Sequence, residues 1–242
     1  NENNFSFGYD YGKINKKTDD KVLHGNVTLV GDSKNAGATF FVNNRQRMWY
    51  DHNDDNYSEL PVLKDNTFGA NFFFLASENQ KLEMNVGSLH EYRYGGEMIN
   101  GAAHLAMQAE ERVHDVLLAN VDYRLNFNNG RSSLIAYLAV QQTKREHYTG
   151  IRPDVNSSED VEHLLNPPYG TSLNTTKQAG LQLNHKYDKF MGTNVLTVGS
   201  EYTSDDVMDE ISAYNYLIDQ KVKTNGVFLQ SDWNLTESIN LL

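Results

Sequence analysis

Three short clusters carry the residue types suited to gripping a small molecule. Arg45, Arg47, Trp49, Tyr50, Asp51 and His52 form the first, Tyr92, Arg93 and Tyr94 the second, and Arg145, Tyr148 and Arg152 the third. Tyr and Trp give flat contact area at low entropic cost, and Arg orients a polar or charged ligand. The chemistry these residue types suit is recognition of a ligand. The bland alternatives are interface aromatics that never touch a ligand, and arginines paired with neighbouring Asp and Glu. The acidic runs Asp51, Asp54, Asp55 and Asp205, Asp206, Asp209, Glu210 hold oxygen ligands suited to calcium, but neither follows the D-x-[DN]-x-[DN]-G pattern and both read as solvated loops. His90, His104, His114 and His163 lie on different segments without HExxH spacing, so no metal site is expected. G-x-S-x-G, P-loop and Rossmann fingerprints are absent, and an enzyme is not expected.

Each cluster lies where a period-two segment gives way to a long connection. Alternation of apolar and polar residues recurs about ten times. It runs through Phe5–Tyr11, Leu23–Leu29, Ala38–Val42, Phe68–Phe74, Leu82–Val86, Leu117–Phe127, Leu134–Val140, Ala179–Tyr187, Leu196–Tyr202 and Val227–Trp233. Helical periodicity is confined to Ala103–Arg112 and Glu159–Leu165, each read as a short loop helix. Short turns at 31–35, 77–80, 128–130 and around Met191-Gly192-Thr193 alternate without exception with long loops at 44–66, 92–111, 148–176 and 204–220. A sandwich has no reason to keep that order, whereas a membrane barrel does, with short turns on one side and long loops on the other. Ser238-Ile239-Asn240-Leu241-Leu242 begins a further strand without a turn after it, so the expectation is part of a larger cylinder. Such a piece, with two unpaired edges, is expected to aggregate if expressed alone.

Composition agrees. The 242 residues carry 21 Lys plus Arg against 32 Asp plus Glu, a net charge of −11, which leaves no cationic face for nucleic acid. Mean hydropathy is −0.62 and no apolar run nears the length of a membrane helix, which leaves strands as the only means of crossing. With 14 Tyr, 11 Phe, four Pro and no Cys, the chain is rich in strand formers and has no disulfide scaffold or thiolate site. No charged stretch followed by an apolar one opens it, so a mature protein or a fragment is expected. The fold class expected is all-β, an antiparallel transmembrane barrel.

Residues 89–233 resemble the barrel of TonB-dependent outer-membrane receptors, most nearly the branch of outer-membrane cobalamin receptors. Leu89-His90-Glu91-Tyr92-Arg93-Tyr94-Gly95-Gly96 is similar to that branch's strand-end motif, with Tyr94 where a second arginine usually stands. Gln108-Ala109-Glu110-Glu111 is similar to its strand re-entry, with Glu111 in place of the usual His. Lys144-Arg145, Tyr148-Thr149-Gly150, Gly199-Ser200-Glu201-Tyr202, Asp209, Tyr214-Asn215, Asp219-Gln220 and Gly226 to Trp233 continue the likeness. The resemblance implies a 22-stranded barrel, of which residues 1–242 supply about ten strands, filled by a plug absent from these residues. It also implies an outer-membrane location, lipid contact, and import of cobalamin, haem or a siderophore, driven by the TonB complex through the plug. A surface lipoprotein is a further partner it admits; no cofactor and no nucleic acid are implied. The ligand-binding set expected is Arg45, Arg47, Trp49, Tyr50, Tyr92, Arg93, Tyr94, Tyr148 and Arg152. The competing readings are a soluble or surface-anchored β-sandwich adhesin and a small passive porin.

Overall fold

The computed structural model describes residues 2–188, 192–236 and 239–242. They form one antiparallel sheet of eleven strands in sequence order, each strand hydrogen-bonded to its chain neighbours. The strands are β1 Asn4–Ile14, β2 Thr18–Val30, β3 Ala36–Arg47, β4 Val62–Ser77, β5 Gln80–Gly96, β6 Gln108–Phe127, β7 Ser132–Ile151, β8 Gly170–Tyr187, β9 Thr193–Ile211, β10 Tyr216–Thr236 and β11 Ile239–Leu241. A sandwich needs two facing sheets; this single up-and-down meander removes that reading. The described sheet is open, with β1 paired only to β2 and β11 only to β10.

Register sorts the side chains onto two faces. Val27, Phe40, Ala70, Val86, Ala119 and Val140 sit opposite one another across six successive strands. The rows beside them continue the belt through Phe72, Met84, Val121 and Leu138. Leu138 is 64% exposed and Phe7 73% exposed, so the belt lies open across the whole sheet. An apolar surface that wide marks contact with a nonaqueous partner. The belt descends steadily. Register leads from Leu23, its upper edge on β2, to Asp219 on β10, but the edge there is Val227, eight positions lower. A drop of ~27 Å across ~38 Å of strand spacings means strands tilted by about 35° to the belt, as membrane barrels require.

The opposite face is polar, carrying Asn26, Thr39, Asn71, Asn85, Asn120 and Gln178. Its few rings lie over cross-strand glycines: a Cβ at Gly69 would meet the Phe41 ring at 2.2 Å, and one at Gly180 the Tyr137 ring at 2.2 Å. Such ring-on-glycine pairs fix register from this side. Cations divide by type. Arg45, Arg47, Arg93, Arg112, Arg124 and Arg145 all stand on the polar face. Lys13, Lys21, Lys64, Lys144, Lys177, Lys221 and Lys223 stand on the belt face, above its upper edge, while Lys81 and Lys186 do the reverse.

Three expectations need correcting. Ala103–Arg112 is no helix: only Ala103–Leu105 makes a 3-10 turn, and Gln108 already opens β6. Alternation of short and long connections also fails at the long-loop end. Residues 15–17 turn tightly there, and 212–215 replace the long loop expected at 204–220. The first hairpin lacks glycine, because Asn15 and Lys16 themselves take positive φ, 46° and 62°. The other long loops shrink to 48–61, 97–107 and 152–169, since strands continue well beyond the belt. There, water bathes both faces and the apolar period that marks a strand disappears. The helix at Glu159–Leu165 is present as α1, Ser158–Leu165, capped by the Ser157 side chain, which accepts from the Asp160 amide at 3.0 Å. Of the turn around Met191-Gly192-Thr193, Met191 lies outside the described residues, as does Ser238 before β11.

Candidate functional site

The three clusters meet at the long-loop end, but register separates them onto opposite faces. Val62, Tyr94, Ala109 and Tyr148 share the belt face of β4 to β7, above the belt. With Ala103 and Ala106 of the 97–107 loop they form a buried core, against which Trp49, Tyr92, Ile99 and Tyr169 pack. Tyr148 lies tilted against Tyr169 at 5.1 Å between ring centres, and Trp49 lies 6.2 Å from Tyr94. Tyr94 and Tyr148 are 3% and 0% exposed, so neither offers surface to a ligand in this arrangement. Tyr50 is also buried, its hydroxyl meeting Asn15 Nδ2 at 3.0 Å and His52 Nδ1 at 2.8 Å. The 97–107 loop therefore packs on the belt-face side of the wall, while Ser58 and Pro61 of the 48–61 loop lie against its polar face at Gly95.

Charge and hydrogen bonding lock this cluster. Arg152 forks onto Asp160, Nε to Oδ1 at 2.6 Å and Nη2 to Oδ2 at 3.0 Å, and Nη1 donates to the Leu105 carbonyl. That guanidinium, with the Asn156 amide, pulls the Asp160 carboxyl down to about 2. His104 meets the Tyr169 hydroxyl at 3.1 Å; burial first, then nearby His163, lowers its pKa. In the 48–61 loop, Asp51 accepts from the amides of Asp54 and Asn56. The acidic run thus shapes its own loop, and among the described residues no group of His, Asp and Glu gathers as a metal site.

The polar face of the same rim belongs to the arginines. Arg93 and Arg112 are direct cross-strand partners, followed by His147 on β7. Arg93 and Arg112 border a concavity of about 490 Å³, shared with Pro61, Gly95, Glu110 and Thr149. Arg47 adjoins it, donating to the Pro61 carbonyl at 3.3 Å, and makes no ion pair among the described residues. Arg93 leans on Glu91 at 2.9 Å and Arg112 on Glu110 at 2.6 Å, both in exposed pairs. Arg45, one row lower, is held in a bidentate bridge to Asp20. Below the concavity, Arg145 donates to Ser172, which donates in turn to Asp209. Sequence reading placed Arg45, Arg47 and Arg93 at the rim but passed over Arg112 and His147, and weighed His114 only as a metal ligand. These sit mid-strand, and the signal that reveals them is their even or odd spacing from the apolar residues of β6 and β7.

An inclined apolar belt, a charged reverse face and connections of unequal length define the wall of a transmembrane β-barrel of the kind that TonB-dependent receptors possess. The likeness extends to solved structures. A variant of the ferric enterobactin receptor PfeA from Pseudomonas aeruginosa aligns with TM-score 0.70 at 12% identity, over 97% of this chain and 37% of that one. The siderophore receptor PirA from Acinetobacter baumannii aligns with TM-score 0.69 at 13% identity, over 98% and 37%. The copper transporter OprC aligns with TM-score 0.57 at 14% identity, over 97% and 34%. These are receptors and transporters by name, not enzymes. The chain spans little more than a third of their length. No family model and no curated protein matches the sequence.

Proposed function

We propose that these strands are about half of a 22-stranded outer-membrane barrel that captures a metal-chelate nutrient at its lumenal rim and imports it with TonB-derived energy. A plug domain and the TonB complex are the partners this reading requires, and a surface lipoprotein is one it accommodates. The carrying observation is the concavity on the polar face where Arg93 and Arg112 stand side by side with Arg47 behind Pro61. Cations crowded there favour an anionic ligand, because each guanidinium presents a planar fork to carboxylate or catecholate oxygens. A ferric siderophore or haem answers that description; cobalamin is the ligand favoured by the sequence likeness. Arg47, Arg93 and Arg112 make the ligand contacts, while Trp49, Tyr50, Tyr92, Tyr94, Tyr148 and Arg152 hold the loops. Arg45 supports the rim through Asp20.

The test is titration of the full-length protein in detergent with ferric enterobactin, haemin and cyanocobalamin, followed by tryptophan fluorescence. Saturable sub-micromolar binding of an iron chelate, weakened about tenfold or more by Arg93→Gln with Arg112→Gln, is expected. Binding of cyanocobalamin alone transfers the ligand to the cobalamin branch. A folded barrel that binds none of them refutes the proposal.

A further inference from the structure

We infer that the outer side of β6 to β10 carries a seat for an anionic phospholipid of the leaflet on the long-loop side. Two adjoining hollows of about 650 and 410 Å³ open on the belt face there and share Val121, Leu138, Ala179 and Tyr202. Small residues interrupt the belt at this place. Ala179 stands between Leu138 and Tyr202 in one row of register, and Ala136 and Ser200 flank Leu181 in the row below. Glu201, which also borders the larger hollow, turns its carboxylate to the polar face, where it accepts from the Tyr137 hydroxyl at 3.0 Å.

Donors crown the hollows. Tyr202 pairs with Asn225, and in the row above Ser204 has Lys177 on one side and Lys223 on the other. Lys177 itself lines the smaller hollow and Asn225 the larger. The two lysines are two strand spacings apart, about 10 Å, so both flexible stems reach a phosphate held between them. Lys177, Lys223, Asn225 and Tyr202 make no side-chain hydrogen bond or ion pair among the described residues. Other belt-face lysines are spent: Lys13 and Lys21 share Asp19, and Lys144 holds Glu146. Asp206, the acid nearest to the pair in register on this face, is held by Lys221. Val227 is the belt's edge on β10, and Asn225 and Lys223 stand two and four positions above it. At the tilt of the strands that is about 5 and 11 Å, where a leaflet passes from acyl chain into headgroup. Lysines above, amide and hydroxyl at the edge and an apolar hollow below repeat the order of phosphate, glycerol and acyl chain. A soluble anion uses the donors and leaves the hollow empty. The inference rests on the membrane placement proposed above.

Native mass spectrometry of the full-length protein tests it, after release from nanodiscs holding equal amounts of phosphatidylglycerol and phosphatidylcholine with the same acyl chains. Each lysine beside an anionic headgroup is worth about fivefold, so the last lipid retained is phosphatidylglycerol by about 25-fold. Lys177→Gln or Lys223→Gln alone cuts that preference about fivefold, both together abolish it, and the two arginine replacements keep it. Ala179→Trp, which fills the hollow, releases both lipids. Equal retention of the two lipids by wild type overturns the proposal, as does a preference that survives the paired Gln variant. Displacement of bound phosphatidylglycerol by millimolar inorganic phosphate, or a lipid-free dimer, overturns it too. If the paired variant fails to insert, the two single variants decide. Failure of the membrane placement looks different: the protein would not enter the nanodiscs at all.

Discussion

Truncating Tyr148 to Ala separates the loop cluster from the wall that carries it. The ring is fully buried among Val62, Tyr94, Ala103 and Ala109, lies tilted against Tyr169 at 5.1 Å, and reaches His163 Nε2 at 3.3 Å through its hydroxyl. Removing a large buried aromatic costs about 3–5 kcal/mol, the lost transfer energy plus the void left behind. Because the loops have no other shared core among the described residues, that cost falls on their local opening, whose equilibrium constant rises by about 10²–10⁴. Native-state hydrogen exchange in detergent reads it directly. Amides of 97–107 and 152–169 lose protection, among them the Arg152 amide that donates to the Met107 carbonyl, while the belt segments of β6 and β7 keep theirs. Tyr148→Phe, which gives up only a long hydroxyl contact, stays within about 1 kcal/mol of wild type. Unchanged loop protection in Tyr148→Ala, or uniform loss across loops and strands alike, refutes the idea of a separately stable outer cluster.

Further outcomes follow from single positions. Gly96 has φ +105° and a Cβ there would lie 2.3 Å from the Gln108 carbonyl oxygen, so Gly96→Ala lowers the thermal midpoint by strain and clash. Gly95→Ala meets Pro61 Cβ at 3.3 Å and Ser58 Oγ at 3.5 Å; it leaves the midpoint within a few degrees but narrows the arginine concavity and weakens ligand binding, as a titration shows. Burial depresses the His104 pKa below its ordinary 6.5, so the loops hold their full stability above pH 6.5 and lose it as pH falls through the lowered folded value. Exchange of 97–107 therefore accelerates on acidification, and His104→Gln flattens that dependence. The chain lacks cysteine, so Leu138→Cys and Ala139→Cys report faces cleanly: a membrane-impermeant maleimide labels Ala139→Cys from the lumen and spares Leu138→Cys in lipid.

The membrane half of the fold was legible because lipid enforces it. Wherever one face meets hydrocarbon, residues such as Leu117 to Leu125 and Leu134 to Val140 must alternate, and the period is unmistakable. Above the belt no such constraint acts. Tyr92 to Gly96 belong to β5 and Gln108 to Glu111 to β6 but lack the apolar period, so the strands were read too short and the loop at 92–111 too long. The rim residues were found by type and by position near strand ends, which is why Arg47 and Arg93 were picked and Arg112 missed. Tyr94 and Tyr148 have the composition of ligand contacts, but that composition equally suits a buried core. Only register shows that they share a face with Val62 and Ala109, away from the lumen.

The division of cations between the faces also bears on how this wall is assembled without error. Arg124 sits between Tyr123 and Leu125, deep within the belt segment of β6, directly across from Ile135 on the polar side. Were β6 to add to its neighbour one residue out of step, every side chain would exchange faces and Arg124 would enter hydrocarbon at a cost of about 2–4 kcal/mol. Asp122 on the same strand would follow it. A misregistered strand is thus penalised at the moment of insertion, before any loop or ligand contact exists to judge it, so these polar-face charges act as a proofreading mark written into the inner surface of the barrel.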